Sequence, residues 1–340
     1  MPRRDWTYDE VSSIYNQSLT ELIVKASNVH QKFHAVGEVQ ICTLLSVKTG
    51  GCQEDCGYCS QSAKYTTGVA VHKLMKTEDV VAKAREAKAG GSSRFCMGAA
   101  WREVRTNRDF DAVLSMVKQV NALGLETCCT LGMLNAEQAR QLKEAGLAAY
   151  NHNLDTGKEF YHNVVTTRTY EARLETLNHV AQAGIKICSG GILGLGEKEE
   201  DRISMLHTLA TLPVHPESVP VNALVPIEGT PLENQPRVSV WEMLRMISTA
   251  RILMPRAMVR LSAGRTEMTV PEQMLCFLAG ANSIFAGDKL LTAPNPSRMD
   301  DNAMFQLLGL KPLEPKTEEA RNSPPVAEET SHISAPVPIA

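Results

Sequence analysis

No stretch of this 340-residue chain approaches the roughly 18 consecutive apolar residues that a membrane-spanning helix needs, so no membrane span is expected. Neither sign of charge dominates. With 35 basic and 38 acidic residues the formal net charge is −3, which offers no general attraction for nucleic acid or anionic lipid. The first residues, MPRRDWTYDE, turn acidic before any apolar run begins, so no secretory leader is expected. The glycine-rich segment Gly190–Glu197 lacks the G-x-G-x-x-G spacing and lies mid-chain, which argues against a dinucleotide fold. No motif pairs a histidine with a carboxylate, so ordinary general acid–base catalysis has no obvious seat. His30, His34, His152, His162 and His179 read as solvated or satisfied core residues.

The 9 cysteines are an odd number, and the chain is neither short nor loop-rich, so a disulfide scaffold does not fit. A reducing compartment, the cytoplasm, with thiols reserved for metal, fits better. Hydrophobic residues at 43% and charged residues at 21% are enough for a packed globular core.

A repeat runs through the chain. A helix closes on a small residue and glycine, and a short β-rich run follows, at Gly90, Gly124, Gly146 and Gly184. Each glycine suits the left-handed position after a helix, and each apolar run suits a buried parallel strand. Helices are expected over Thr77–Ala89, with Thr77 as N-cap, and over 110–123, 136–145, 170–183, 202–212 and 240–254. Further strands are expected over 39–45, 218–225, 258–262 and 283–285. About eight strands alternating with helices predict an α/β fold, a (β/α)8 TIM-type barrel, with a doubly wound open sheet as the alternative. The expected organisation is an N-terminal helical extension over 1–35, a barrel over 36–310, and a disordered Pro-, Glu- and Ser-rich tail over 311–340.

The loop after the first strand carries Cys52, Cys56 and Cys59, spaced C-x3-C-x2-C. Short spacing lets three thiolates converge without a large closure cost. Three ligands on a four-iron cluster leave one iron open to a small molecule. A structural zinc site would want a fourth ligand, for which His72 is the nearest candidate. Cys96, Cys128 and Cys188 occupy related places in successive repeats, so their side chains can meet inside a barrel. Cys129 then faces the helices, because successive strand residues alternate. The plain alternative is that these are buried structural thiols. Arg260 shares a strand face with residues 258 and 262, and a buried arginine must be paired. Asn151, Asn153 and Asp155 line one strand face, which calls for a ligand or an internal polar network.

Tyr58 directly before the last loop cysteine makes the motif resemble the radical S-adenosylmethionine superfamily. The segments GGCQEDCGYCSQS, FCMGAAWR, YNHNLDT, ICSGGILGLGE, ESVPVNALV and VRLSAGR, in this order, resemble the biotin synthase family over roughly residues 8–310. That resemblance implies a sulfurtransferase converting dethiobiotin to biotin. It implies a [4Fe-4S] cluster on Cys52, Cys56 and Cys59 with S-adenosylmethionine on the open iron. It also implies a [2Fe-2S] cluster on Cys96, Cys128, Cys188 and Arg260 as sulfur donor. Tyr58 and Ile192 would flank the adenine, and Asn153 and Asp155 the ribose. Asn151, Asn153 and Asn222 would meet dethiobiotin, and Thr292 its carboxylate. Ala293 stands where the family pattern has a second threonine, leaving a backbone N–H to serve there. Implied partners are a flavodoxin-type electron donor, iron–sulfur assembly proteins and a second copy in a homodimer. The rivals are another radical enzyme of similar barrel with a different substrate, and an electron-carrier or zinc-binding module. Lipoyl synthase is disfavoured because its N-terminal cysteine triplet is missing.

Overall fold

The computed structural model describes residues 2–314. Two helices lead in, α1 (Tyr8–Tyr15) and α2 (Leu19–Phe33). The alternation follows: β1 (Glu38–Lys48), α3 (Thr77–Ala89), β2 (Arg94–Ala99), α4 (Arg108–Ala122), β3 (Glu126–Thr130), α5 (Ala136–Glu144) and β4 (Ala149–Asn151). It continues through α6 (Tyr170–Gln182), β5 (Lys186–Cys188), β6 (Gly191–Leu193), α7 (Glu199–Thr211), β7 (Ser218–Ala223), α8 (Val240–Leu253), β8 (Met258–Leu261), α9 (Val270–Leu278) and β9 (Ser283–Phe285). A small hairpin of β10 (Lys289–Leu290) and β11 (Ala293–Pro294), then α10 (Arg298–Leu308) and β12 (Lys311–Pro312), complete the described chain.

The strands pair in parallel in the order β1-β2-β3-β4-β5-β7-β8-β9, and β9 returns to β1 through Gln40–Ser283 and Cys42–Phe285. That closure makes a (β/α)8-type barrel and rules out the open doubly wound sheet. The fifth barrel strand is interrupted: β5 stops at Cys188, and β6 resumes pairing with β7 after Ser189 and Gly190. A Cβ on Gly190 would lie 2.0 Å from the Pro220 carbonyl oxygen, so only glycine lets β7 approach this closely.

Most helix starts are capped by side chains. Asn135 with Gln138, Thr269 with Glu272 and Ser297 with Asp300 form reciprocal capping boxes. At α3 the cap is not Thr77. Lys76 takes the extended cap conformation without a side-chain bond, and Thr77 is the first helical residue, followed by Glu78 and Asp79. The left-handed glycine of the first repeat is likewise Gly91 (φ +84°) rather than Gly90, because the turn holds two glycines and the second takes the sharp bend. Gly124, Gly146 and Gly184 are left-handed as expected. The helix at 202–212 starts three residues earlier, at Glu199, and the strand at 218–225 ends at Ala223.

Helix α2 packs on α8, and α1 packs on α7 and α8. Lys311 and Pro312, which the sequence assigns to the tail, instead pair with Glu38 and Val39 as β12. The rest of the expected tail, residues 315–340, lies outside the described residues. Cys129 packs in the layer between strands and helices, whereas Cys96 and Cys128 face the barrel interior with Cys42, Ala149 and Phe285.

Candidate active site

Gly50 and Gly51, both with positive φ (71° and 67°), turn the chain sharply as it leaves β1. The cysteine loop then folds across the carboxyl ends of the strands. Cys52 pairs with Ser62 in an isolated bridge, and the Cys59 N–H donates to Cys56 O at 2.9 Å. The loop is pinned from the far side by Asp55, whose carboxylate accepts from the N–H groups of Thr166 and Thr167 at 2.9 and 3.1 Å. Burial opposes that charge, yet these bonds hold the Asp55 carboxyl down to about 2. Burial pushes the Cys56 and Cys59 thiols up to about 12 and about 11. They become thiolates only with a metal to replace the proton. Arg168 Nη2 lies 3.9 Å from Cys56 Sγ. Its Nε is 3.8 Å from Glu54 Oε1, which also faces Arg102 Nε at 3.5 Å; neither ion pair makes a hydrogen bond, and all three atoms are buried without one. His72, the candidate fourth zinc ligand, is exposed.

One cavity of ≈ 320 Å³ opens at this end of the barrel, and the three loop cysteines line it. Of the residues that the family resemblance assigns to clusters, cofactor or substrate, all the others but Cys188 also line it: Tyr58, Cys96, Cys128, Asn151, Asn153, Asp155, Ile192, Asn222, Arg260 and Thr292. Cys188 sits behind Asn151, whose Nδ2 is 3.3 Å from its Sγ.

Asp155 follows β4 with φ +69°, a left-handed conformation unusual outside glycine. Its Oδ2 accepts from the Tyr58 hydroxyl at 2.9 Å and from Arg173 in a close buried ion pair. Arg173 also donates to the Tyr161 hydroxyl at 2.7 Å and to the Asn153 carbonyl. Burial, then Asp155, raises the Tyr58 hydroxyl well above its ordinary range, so Tyr58 stays a neutral donor. Sequence reading missed Arg173 and Arg168. The signal for Arg173 was present: it occupies the apolar stripe Tyr170, Arg173, Leu177, Val180 of α6, where a charge needs a buried partner.

Deeper in the barrel, register sets the thiols side by side. Cys96 pairs with Cys128, and Cys128 is within hydrogen-bonding reach of both Cys96 and Cys188. Bonds from Cys188 and Cys96 hold Cys128 well below the ordinary thiol range, with Arg94 and Arg260 assisting. Arg260 is buried. It donates to Ser283 Oγ at 2.9 Å and lies 3.7 Å from Cys188 Sγ and 4.6 Å above the Phe285 ring. Cys42, also missed by sequence reading, lies 3.3 Å from Arg260 Nη2. Below them Arg94 closes the floor with Glu126 and Glu217 at 2.8 and 2.9 Å.

The polar strand face is partly self-satisfied. Thr130 donates to Asn151 Oδ1 at 3.2 Å, and Asn151 donates to Asn153 Oδ1 at 3.1 Å. Asn222 spans Gly191 O (2.9 Å) and the Ala263 N–H (3.2 Å), tying β6 to the end of β8. Thr292, on the β10–β11 hairpin, meets Ser60 of the cysteine loop hydroxyl to hydroxyl at 2.7 Å.

The donor chemistry suits iron–sulfur clusters at both levels: three thiols at the mouth, then thiols and a guanidinium in a chamber walled by Ala149, Phe285 and Leu44. Among the described residues no three His, Cys, Asp or Glu side chains converge on one ion position. A cluster spreads its thiolates over several irons.

The profile of the Radical SAM superfamily matches residues 46–209, and that of the Biotin and Thiamin Synthesis associated domain matches residues 220–311. The chain is 66% identical over 310 residues to a biotin synthase of Cytophaga hutchinsonii, covering 91% of this chain and 92% of that protein. It is 58% identical over 319 residues to a mitochondrial biotin synthase of Arabidopsis thaliana, covering 94% of this chain and 84% of that one. Methylornithine synthase shares the fold, with a TM-score of 0.76, 19% identity and coverage of 91% and 94% of the two chains. The two profiles and the high identity over nearly the whole chain agree with the cavity's composition, and the chain belongs to the biotin synthase family of radical S-adenosylmethionine enzymes.

Proposed function

We propose that this single cavity converts dethiobiotin to biotin, with its two thiol sets divided between making a radical and supplying sulfur. One observation carries the reading: the three-thiol loop and the inner thiols Cys96 and Cys128 open into the same cavity. Cys52, Cys56 and Cys59 would hold the [4Fe-4S] cluster and leave one iron for S-adenosylmethionine. Cys96, Cys128, Cys188 and Arg260 would hold the [2Fe-2S] cluster. When bound, the first cluster supplies the electron that cleaves the sulfonium to a carbon radical able to abstract hydrogen, and the second supplies sulfide.

The chain's own residues do the placing. Asp155, fixed by Arg173 and Tyr58, offers a carboxylate oxygen to ribose hydroxyls beside Asn153. Ile192 presents an apolar face for the adenine. Asn151 and Asn153 offer donor and acceptor atoms that suit a neutral ureido ring. Asn222 frames that pocket while holding β6 and β8 together. Thr292 would release Ser60 to meet the substrate's carboxylate. Arg260 carries a proton here: burial opposes its charge, but attraction to Cys42, Cys188 and Cys96 outweighs burial, and it would have to lose that proton to ligate iron.

All nine cysteines are free, which supports a reducing compartment and a cytoplasmic home. No helix among the described residues is long and apolar enough to cross a membrane. A flavodoxin-type donor, iron–sulfur assembly proteins and a homodimer complete the proposal on family grounds, with the helical extension 1–35 packed on a barrel that runs to about residue 310. The test is anaerobic reconstitution followed by reduction with dethiobiotin and S-adenosylmethionine present. Biotin formation is expected; cleavage of S-adenosylmethionine without biotin would reject the substrate.

A further inference from the structure

The inner chamber holds one more sulfur than its expected ligand set uses. Cys42 points inward from β1, fully buried, and packs with Cys96, Cys128, Ala149 and Phe285. Its Sγ lies 3.3 Å from Arg260 Nη2 and 3.5 Å from Gln40 Oε1, and it is within hydrogen-bonding reach of Cys96. Cys42 does not line the cavity, whereas Cys96, Cys128 and Arg260 do. Four thiols, Cys42, Cys96, Cys128 and Cys188, therefore run in a continuous arc with Arg260 bridging its two ends: Arg260 approaches Cys42 at one end and Cys188 at the other.

Four thiols are the ordinary donor set for a two-iron cluster. A thiol also gives up its proton to a metal far more readily than a guanidinium does. We propose that Cys42 is a reserve fourth ligand of the inner cluster, taking the coordination position of Arg260 while the cluster is loaded and whenever Arg260 cannot ligate. Binding replaces one S–H bond with one S–Fe bond and releases one proton, and no electron changes hands. Its burial away from the cavity keeps this thiol clear of substrate and radical. The inference rests on the reading of Cys96, Cys128 and Cys188 as cluster ligands.

The test reads the cluster and not turnover. Native chain, R260M, C42S and R260M/C42S are reconstituted anaerobically and examined by iron and sulfide analysis, Mössbauer and resonance Raman spectroscopy. Circular dichroism checks that each is folded. R260M should retain an inner two-iron cluster with an all-thiolate Raman signature, and R260M/C42S should lose most of it, at least about tenfold. Equal loading and identical spectra in those two variants would overturn the role of Cys42 while leaving the inner cluster in place. If the native chain itself takes up no two-iron cluster, the ligand reading fails, and the proposal with it. A second measurement leaves Arg260 untouched: during reconstitution of otherwise native chain, C42S should load the inner cluster several-fold more slowly. An unchanged loading rate would contradict the proposal.

Discussion

At the residue scale, Asp155 concentrates the most consequence in one side chain. It combines a left-handed backbone, a hydrogen bond from Tyr58 and the only close carboxylate for buried Arg173 among the described residues. D155N leaves Arg173 buried without its charge partner, a loss on the order of 3 kcal/mol. It should weaken S-adenosylmethionine binding at least about tenfold by calorimetry and lower the melting temperature as well. Y58F removes only one hydrogen bond, about 1 kcal/mol, and should do neither to the same degree. Equal behaviour of the two variants would contradict this ordering. Motif spacing placed Cys52, Cys56 and Cys59 on one loop and the strand repeat placed Cys96 and Cys128 inside the barrel, whereas Asn153 and Asp155 lie beyond the end of β4, and Ile192, Asn222, Thr292 and the ligand role of Arg260 were reached only through the family resemblance. Arg173 was harder to see, since its partner lies 18 positions away at the end of a different element. Cys42 carried a weak signal: it follows left-handed Gly37 by the same five positions that separate Cys96 from Gly91.

His30 and His34, assigned no chemistry by sequence, stack at 5.3 Å, and His34 touches Arg251, a buried arginine bonded to carbonyls and Asn282. Burial and then Arg251 lower both histidines to about 4. Their folded values lie below the unfolded value of about 6.5. As pH falls from about 6.5 to about 4 the unfolded chain takes up protons that the folded chain refuses, and stability drops, levelling off below that window. The pair should account for roughly 3 kcal/mol after solvent screening. Urea unfolding at pH 7 and pH 5 should show a smaller loss in H30Q/H34Q than in the native chain. The same loss in both would remove the histidines from the account.

At the element scale, helices were legible to within a few residues because caps and glycines mark their ends. The misplacements have local causes: a cap supplied by backbone at Lys76, a second glycine at Gly91, and acidic residues Glu199 and Glu200 that extend α7 backwards. The interruption between β5 and β6 was not legible, since the requirement at Gly190 comes from β7, a distant segment. G190A should cost about 3 kcal/mol or more, because the Pro220 carbonyl it meets belongs to a barrel strand and cannot move aside. Thermal unfolding checks this; a drop of only a degree or two would show that β7 yields. The β10–β11 hairpin is latched to the cysteine loop by Ser60 and Thr292. S60A should speed amide exchange over residues 288–295 and shift the KM for dethiobiotin several-fold, with kcat little changed. A change in kcat alone would place Ser60 elsewhere in the mechanism.

At the scale of the whole molecule, closure of the barrel follows from the count of strand–helix repeats, and closure brings the inner thiols under the cysteine loop. Closure also brings Arg260 of β8 to Cys42 of β1, which an open sheet would leave toward opposite edges. The ion pairs of Arg94 with Glu126 and Glu217 lie at the opposite end, and the cavity is lined by the loop that would hold S-adenosylmethionine. This one cavity would join a radical-generating cluster to a sulfur-donating one. The most direct measurement loads the inner cluster with heavy-isotope sulfide, confirms two cluster types by Mössbauer spectroscopy, and runs a single turnover with dethiobiotin under reducing conditions. Biotin carrying the heavy sulfur is expected, formed as the signal of the inner cluster disappears. Unlabelled biotin, or biotin formed while that signal stays intact, would contradict it.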